Sequence, residues 1–344
     1  MVSLGAAVGE QMAERGERVL VTGATGFTGG VLAQRLKARG HRVRVLVRDQ
    51  RRAAPLAEQG FELAHADLVD AHGVEQAVSG CQRVYHVAAV FRTAGHPDAY
   101  YHRVNAGGVE NVLAAARKHG VERTVIVSTA GVHGGVERIP SDESAPYQTG
   151  DIYQESKLAG ERIALGAIGS GQPVTVVRPT GIFGPGDTRF LKLFRAIYRG
   201  RFRMFGSGEV MFHLSHVNDV AEGIALCGEH PAAEGEVFLI GSDEYGTLNE
   251  LVGKIAAAVG VEPPRGHLPV WPLMAAARIC ESVCVPLGIE PPLYTRRCEF
   301  FIKPRAFSID KAKRLLGFES KVTLEQSVRE TAQWYRDQGY LGSR

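Results

Sequence analysis

Short apolar runs alternate with amphipathic stretches through the first half of the chain. The runs are rich in valine, isoleucine and leucine, as in strands that are buried on both faces of a sheet. They predict strands over Arg18–Thr22, 41–47, 61–66, 83–88, 124–128 and 174–178. Between these runs the apolar residues recur at helical spacing. This spacing predicts helices over 30–39, Ala71–Val78, 106–119 and 153–168.

Strands that alternate with helices form βαβ units and therefore a parallel sheet. We predict an α/β fold, a Rossmann doubly wound parallel sheet with helices on both faces. Beyond Gly184 the alternation weakens and the segments become less regular, although Val237–Ile240 is expected to return to the sheet. The later helix candidates are 190–199, 220–228, Leu248–Val259 and 272–285. The predicted domains are a nucleotide-binding domain over 1–185 and a smaller mixed substrate-binding region over 186–344, some of whose elements rejoin the first domain.

Composition narrows the classes of partner. The chain has 344 residues, of which 44% are hydrophobic and 22% charged, as in a globular protein. The net charge is +3, from 40 basic and 37 acidic side chains without a dominant basic block, so nucleic acid is not an expected partner. The five cysteines are scattered, without zinc-site spacing, which suits a reduced compartment and predicts no metal site.

The two most apolar terminal stretches do not predict membrane insertion. Residues 1–17 lack a basic region before their apolar part, so they make a poor signal peptide and are expected to form a short extension. The segment 268–288 is apolar but is interrupted by charges and prolines, which is too broken for a membrane span. We therefore expect a cytoplasmic protein with no integral membrane segment. Contact of 268–288 with a membrane surface is left open.

A glycine-rich loop follows the first predicted strand and opens the first helix. Gly23, Gly26 and Gly29 have the spacing GxxGxxG. Glycine lets the backbone approach a pyrophosphate closely, and the helix N-terminus supplies amide donors. Because both flanking elements are present, the loop predicts a dinucleotide site. The cofactor contacts expected here are Gly23, Thr25, Gly26, Phe27 and Gly29.

The end of the second strand indicates which dinucleotide binds. An acid there would bind the ribose hydroxyls of NAD, whereas an arginine accommodates the phosphate of NADP. Val47 stands where the acid is expected, and Arg48 follows it. NADP(H) is therefore favoured, while Asp49 leaves NAD(H) open. Four residues after the third and fourth strands are also expected to border the cofactor: Asp67, Leu68, Ala88 and Ala89.

Tyr153 and Lys157 stand one helical turn apart, so their side chains share a helix face. This pair alone is equally compatible with a solvated helix surface. Ser128 and Thr129, however, end a predicted strand, and ligands of such sheets bind beyond the strand ends. A phenol with a pKa of about 10 is a poor base, and a neighbouring ammonium lowers that pKa. Together with a hydroxyl that holds the substrate oxygen, the pair predicts proton transfer beside a hydride carrier.

Five motifs in order carry a resemblance to a known family. They are TGATGFTGG (22–30), Asp67-Leu68, Ser-Thr-Ala (128–130), YQESK (153–157) and RPTGIFGPGD (178–187). Their order and spacing resemble the extended short-chain dehydrogenase/reductase superfamily over nearly the whole chain. The resemblance implies a Rossmann domain, a C-terminal substrate region and a tightly held nicotinamide dinucleotide. It also implies a homodimer formed through the helices that carry Tyr153 and Lys157.

The resemblance also implies roles for individual residues. Tyr153 would be the general acid/base, and Lys157 would bind the nicotinamide ribose and lower the pKa of Tyr153. Thr129 takes the position of the catalytic serine or threonine, with Ser128 beside it. The other matched residues surround the nicotinamide or stand behind the site: Asn105, Pro179 and Thr180.

Two enzyme classes remain open. Nucleotide-sugar enzymes of the superfamily usually carry an arginine for the substrate diphosphate where this chain has Phe212, although Arg189, Arg195, Arg201 or Arg203 could replace it. The segment 269–293 is apolar and interrupted by prolines, which suits an apolar substrate, and the tail segments 296–318 and 327–341 resemble the 3β-hydroxysteroid dehydrogenase and dihydroflavonol-reductase-like branch. We therefore predict an NAD(P)-dependent oxidoreductase that interconverts a secondary alcohol and a ketone on a hydrophobic, steroid-like or flavonoid-like small molecule. The alternative is a nucleotide-sugar epimerase/dehydratase with tightly bound NAD(P).

A third hypothesis, a cofactor-binding regulatory protein without catalysis, is disfavoured by the intact Thr129, Tyr153 and Lys157. His133 and Phe212 are predicted to contact the substrate.

Overall fold

The computed structural model describes residues 16–92, 95–284, 286–287, 289 and 291–342. The expected extension lies almost wholly outside these residues, as does Val285 at the end of the predicted helix 272–285. Strands are numbered in chain order. They are β1 (Arg18–Thr22), β2 (Arg42–Val47), β3 (Glu62–His65), β4 (Arg83–His86), β5 (Arg123–Val127), β6 (Val174–Pro179), β7 (Gly181–Phe183), β8 (Met204–Phe205), β9 (Met211–Phe212), β10 (Leu214–His216), β11 (Val237–Ile240), β12 (Gly246–Thr247) and β13 (His267–Leu268).

Helices connect these strands and form the C-terminal region. They are α1 (Phe27–Ala38), α2 (Gln50–Glu58), α3 (Ala71–Val78), α4 (Asp98–Asn105), α5 (Gly107–Lys118), α6 (Ile152–Gly169), α7 (Leu191–Tyr198), α8 (Val217–Glu229), α9 (Leu248–Val259), α10 (Val270–Cys284), α11 (Thr295–Cys298), α12 (Asp310–Leu316) and α13 (Leu324–Asp337). Short 3₁₀ turns occur at Ala130–His133, Pro231–Ala233 and Glu299–Phe301.

Seven parallel strands form the central sheet, in the order β11-β6-β5-β4-β1-β2-β3. Adjacent side chains of β1 point to opposite faces, and both faces are covered. Val21 belongs to a core that includes Leu32 of α1 and Ile224 of α8. Leu20 packs in a second core with Val112 of α5. The predicted Rossmann fold, with helices on both faces of a parallel sheet, is confirmed.

The later part of the chain contributes to two cores. Strand β11 pairs with β6, and Ile224 of α8 packs on the sheet, so 217–240 extends the first core. Helices α7, α9 and α13 build a separate core around Phe194, Leu251 and Val328. Among the described helices, none combines the length and hydropathy needed to cross a bilayer.

A buried carboxylate fixes the second core to the first. Asp219 of α8 accepts hydrogen bonds from the Ser320 hydroxyl and from the amides of Lys321 and Val322, at 3.0–3.1 Å. These residues lead directly into α13. Hydrogen bonds to an ionised, buried acceptor are among the stronger ones in proteins. The C-terminal region is therefore held at a defined position against the sheet.

Candidate active site

A cavity of about 1090 Å³ opens where the strands of the central sheet end. The residues that follow β1, β4 and β5 line it, as do Tyr153 and Lys157 of α6. The C-terminal region closes the other side with Phe212, Phe300 and Arg305. This crevice is where ligands bind in doubly wound sheets.

Most of the residues predicted from sequence line this one cavity. They are Gly23, Thr25, Gly26, Phe27, Gly29, Arg48, Asp67, Leu68, Ala88, Ala89, Ser128, Thr129, Tyr153, Lys157, Pro179, Thr180 and Phe212. His133 is the exception and is described below. Within the described part of the chain, no three His, Cys, Asp or Glu side chains are grouped so that they could hold a metal ion.

The glycine loop passes so close to neighbouring backbone that a side chain at Gly23 or Gly29 would not fit. Gly23 has a φ of 79°, and a Cβ on it would lie 2.8 Å from the amide nitrogen of Ala88. A Cβ on Gly29 would lie 2.3 Å from the carbonyl oxygen of Gly23. Helix α1 begins after Gly26 without a side-chain cap, so its first amides face the cavity. These features fit the pyrophosphate of a dinucleotide.

Arg48 and Asp49 have different environments at the end of β2. The Arg48 guanidinium is 67% exposed, lies 3.5 Å from an Asp67 oxygen and donates to the Tyr100 hydroxyl at 3.2 Å. Asp49 instead caps α2, where its carboxylate accepts from the amides of Arg51 and Arg52. Only the guanidinium of this neighbouring pair lines the cavity.

Tyr153 presents its phenol to the cavity beside two cations. Its ring meets the Phe91 ring edge-on at 4.8 Å and lies 5.3 Å from the Arg92 guanidinium. Burial raises the pKa of Tyr153, although the charges of Arg92 and Arg189 and a hydrogen bond with Thr129 oppose the rise. We expected Lys157 to lower this pKa. In the structure the effect of burial on the pKa of Tyr153 is the largest, and the cations that oppose it are Arg92 and Arg189.

Lys157 is buried one turn further along α6. Its ammonium donates a hydrogen bond of 2.6 Å to the carbonyl oxygen of Val127, at the end of β5. Burial lowers the pKa of Lys157 to about 8, although the Glu161 carboxylate opposes the change. The ammonium is therefore held at the strand ends at an energetic cost, which is typical of functional rather than structural lysines.

Glu161, the next residue on the same face of α6, is the centre of a buried polar cluster. Its carboxylate accepts from the Ser128 hydroxyl at 2.5 Å and from the Tyr147 hydroxyl at 3.0 Å. It also pairs with the Arg178 guanidinium at 2.6 Å, and the side chains of this ion pair are 0% and 3% exposed. The cluster joins α6 to the ends of β5 and β6.

The structure distinguishes the two adjacent hydroxyls that were expected to be catalytic. Ser128 donates its proton to Glu161. The Thr129 oxygen accepts from the amide of Gly131 at 3.0 Å, and its hydroxyl forms the hydrogen bond with Tyr153 rather than with a buried carboxylate. Thr129 therefore has the better geometry for binding a substrate oxygen.

His133 does not line the cavity, contrary to the predicted substrate contact. It is 1% exposed, and its ring stacks on Tyr147. Its Nε2 lies 3.1 Å from the Arg178 guanidinium, and its Nδ1 lies 3.2 Å from the carbonyl oxygen of Pro146. The 3₁₀ turn Ala130–His133 places the imidazole in the polar cluster rather than in the cavity.

Asn105, matched from the resemblance, supports the site from behind. Its side-chain oxygen accepts from the amide of Val90 at 2.7 Å, and its amide group donates to the Ser156 hydroxyl at 2.9 Å. It thereby joins the segment after β4 to helix α6.

Arg92 was not predicted from the sequence. It has a φ of 27°, which is uncommon for a residue with a side chain, and its guanidinium pairs with Asp151 at 2.8 Å. This conformation turns the guanidinium toward the ring of Tyr153. A backbone angle of this kind leaves no signal in the amino-acid pattern.

Comparison with known proteins agrees with this geometry. Residues 19–241 match the model of the "NAD dependent epimerase/dehydratase family". The chain is 33% identical to the 4-hydroxy-2-methyl-3-oxo-4-farnesyl-3,4-dihydroquinoline-1-oxide ketoreductase of Stigmatella aurantiaca, over 90% of this chain and 94% of that protein. It is 32% identical to the 3 beta-hydroxysteroid dehydrogenase/Delta 5-->4-isomerase of Mycobacterium tuberculosis, over 92% of this chain and 90% of that protein.

A solved structure shows the same architecture. The crystal structure of gox2253 superposes with a TM-score of 0.79 at 32% identity, covering 94% of this chain and 99% of that one. Together these comparisons confirm the resemblance to extended short-chain dehydrogenases/reductases, including the hydroxysteroid dehydrogenase branch.

Replacing Lys157 with methionine should change how stability depends on pH in the absence of cofactor. Below pH 8 the ammonium is charged in both the folded and the unfolded chain, and its burial lowers the free energy of unfolding by on the order of 3 kcal/mol. Between pH 8 and 10.5 the unfolded chain keeps a proton that the folded chain has lost. The stability of the wild type relative to Lys157→Met should therefore rise over this range, measured by urea unfolding.

The control is Lys118→Met, which removes a lysine that is 62% exposed. The difference between its free energy of unfolding and that of the wild type should stay constant across the same pH range. If the difference in free energy of unfolding between the wild type and Lys157→Met stays constant from pH 7 to pH 10, burial does not lower the pKa of Lys157.

Proposed function

The chain belongs to the NAD dependent epimerase/dehydratase family and is an NAD(P)-dependent oxidoreductase of the extended short-chain type, and we propose that it interconverts a secondary alcohol and a ketone on a hydrophobic small molecule. One observation carries the proposal. The glycine loop, Thr129, Tyr153 and Lys157 line a single cavity at the carboxyl edge of the sheet.

The cofactor would be held along the strand ends. The glycine loop would bind the pyrophosphate, Asp67 and Leu68 would border the adenine, and Lys157 would bind the nicotinamide ribose. Pro179 and Thr180 would line the nicotinamide pocket. When bound, the nicotinamide supplies a hydride to the carbonyl carbon or accepts one from the carbinol carbon.

The protein's own residues handle the substrate oxygen and its proton. Thr129, whose hydroxyl lies within hydrogen-bond reach of Tyr153, would donate a hydrogen bond to that oxygen and fix its position. Tyr153 donates a proton to the oxygen during ketone reduction and accepts it during alcohol oxidation. Because burial raises the pKa of Tyr153, its phenol is protonated at neutral pH, which is the form needed to reduce a ketone.

The wall opposite the catalytic residues supports a hydrophobic substrate. Phe212 packs on Phe300 at 4.8 Å between ring centres, and both line the cavity together with Phe307. Pockets for hydrophobic ligands combine such walls with a few polar groups. Two relatives named as a ketoreductase and a hydroxysteroid dehydrogenase support the same chemistry.

A nucleotide-sugar epimerase or dehydratase is the second candidate, favoured by the description of the family itself. In that reaction the cofactor would be regenerated in each turnover. Phe212 supplies no donor to a diphosphate, which needs cationic groups.

Net cofactor consumption separates the two candidates. Purified protein should oxidise NADPH or NADH in the presence of hydrophobic ketones, followed by absorbance at 340 nm. UDP- and dTDP-sugars should yield neither net oxidation nor an altered sugar by chromatography. Conversion of a nucleotide sugar without net oxidation, and no reaction with any ketone, would favour the second candidate.

Tyr153→Phe should lower kcat for the reactive ketone by about 10²–10⁴-fold, because it removes the proton donor and keeps the ring. Binding of NADP⁺, measured by titration calorimetry, should be unchanged. Tyr340→Phe is the control, since Tyr340 packs against Trp334 in the C-terminal region. Substantial residual kcat in Tyr153→Phe would remove the acid/base assignment.

The preference for NADP(H) is part of the proposal and rests on Arg48. Arg48→Ala should weaken NADP⁺ binding about tenfold more than NAD⁺ binding, because a guanidinium pairs with the 2′-phosphate. The control is Arg51→Ala, because Arg51 is not among the residues that line the cavity. Dissociation constants from calorimetry check both variants. Equal weakening of the two dinucleotides by Arg48→Ala would leave the preference without support.

A further inference from the structure

Arg305 is a cation of the cavity wall whose guanidinium forms no hydrogen bond or ion pair within the described part of the chain. Its backbone amide donates to the carbonyl oxygen of Met211 at 2.8 Å. Arg305 also forms an isolated β-bridge with Phe212 of β9. This pairing anchors Arg305 at the cavity, where it is a lining residue, and Arg305 also lines a small neighbouring pocket together with Asp151 and Glu299. None of the described hydrogen bonds or ion pairs involves its guanidinium.

The acids nearest to Arg305 are already used by other cations. Glu299 pairs with Lys303 at 2.7 Å, and Asp151 pairs with Arg92 at 2.8 Å. Burial and the neighbouring Arg92 charge lower the pKa of Arg305, while the two acids oppose the shift. An arginine nevertheless stays charged at neutral pH. The two acids therefore compensate the Arg305 charge only from a distance, and the N–H donors of its guanidinium have no partner among the described contacts.

We propose that Arg305 binds a carboxylate of the substrate, so that the enzyme acts on hydrophobic oxo acids or hydroxy acids rather than on neutral ketones and alcohols. This inference rests on the proposed function and names the substrate class of the same site. A guanidinium presents parallel N–H donors that match the two oxygens of a carboxylate. Binding an anion there offsets the cost of the unpaired cation.

The surroundings of Arg305 favour a carboxylate over a nucleotide diphosphate. The wall beside it consists of the rings of Phe212, Phe300 and Phe307, which supply no further donors. The other arginines on this side, Arg92 and Arg189, are paired with Asp151 and Asp187. Lys192 also lines the cavity, but it offers a single ammonium, and a diphosphate prefers bidentate donors of the kind that, among the described residues of this wall, Arg305 alone leaves unpaired.

The proposed carboxylate site and the acid/base have a neighbour in common, the Arg92 guanidinium. Arg92 is near both places, because its guanidinium lies 5.3 Å from the ring of Tyr153 and its charge acts on Arg305. The carboxylate is a spectator in the reaction. Hydride transfer and proton transfer occur at the carbonyl group, and Arg305 fixes the acid end of the molecule.

Binding of decanoate and decanamide tests the proposal without turnover. The two probes share an alkyl chain and differ in the charge of the head group. Calorimetry on the complex with NADP⁺ or NAD⁺ should show decanoate binding about tenfold more tightly than decanamide in the wild type. Arg305→Met should bring the ratio near one with decanamide binding unchanged, and Arg305→Lys should keep part of the preference.

Lys303→Met is the matched control, because it removes a neighbouring cation that is already paired with Glu299. It should keep the decanoate preference. Equal affinity for the two probes in the wild type, or equal loss of both in Arg305→Met, would overturn the proposal. So would UDP-glucose binding that depends on Arg305 while decanoate binding does not.

Kinetics then locate the acid relative to the reacting carbon. For whichever of 3-oxodecanoate and 5-oxodecanoate reacts faster, Arg305→Met should raise KM about tenfold with little change in kcat, because the contact is kept throughout the reaction. The methyl ester should be unaffected. If neutral ketones are reduced but decanoate binding ignores Arg305, only this proposal fails. If decanoate binding requires Arg305 but no ketone or oxo acid is reduced, only the proposed function fails.

Discussion

The buried carboxylate of Glu161 is the interaction on which the geometry of the site depends. It is carried by α6, accepts from Ser128 at the end of β5 and pairs with Arg178 of β6. Those three elements carry or lead into Tyr153, Thr129 and Pro179, which all line the cavity. Removing one partner of a buried ion pair leaves an uncompensated charge, which is strongly destabilising. The helix that carries the acid/base is therefore fixed against the strand ends.

The charged side chains around the site differ in how many hydrogen-bond and ion-pair partners they have. In the cluster behind the site, Glu161 and Arg178 satisfy each other and have further hydrogen bonds. Facing the cavity, the Lys157 ammonium has one described hydrogen bond, to Val127, and the Arg305 guanidinium has no described hydrogen bond or ion pair. Proteins tolerate charged groups with so few partners mainly at functional sites. The stable cluster thus supports groups that are completed only when ligands bind.

The sequence was sufficient for the fold and for the parts of the site that are local. Buried strands have a continuous apolar pattern, and the glycine loop and the Tyr153–Lys157 pair are short motifs in defined elements. Arg92 escaped prediction because its direction depends on a positive φ and on its distant partner Asp151. His133 was misplaced because a 3₁₀ turn decides where its ring points. Two-residue strands such as β9 are too short to show any periodicity.

Arg305 illustrates why substrate specificity is harder to predict than chemistry. Phe212 indicated an apolar substrate because it replaces an arginine of the nucleotide-sugar enzymes. An isolated β-bridge joins Phe212 to Arg305. A cation from a segment far along the chain therefore lies at the same wall of the cavity. That pairing is non-local, and no motif records it. The residues proposed to carry the reaction therefore lie in local motifs of the central sheet, whereas those proposed to select the substrate meet through contacts that only folding creates.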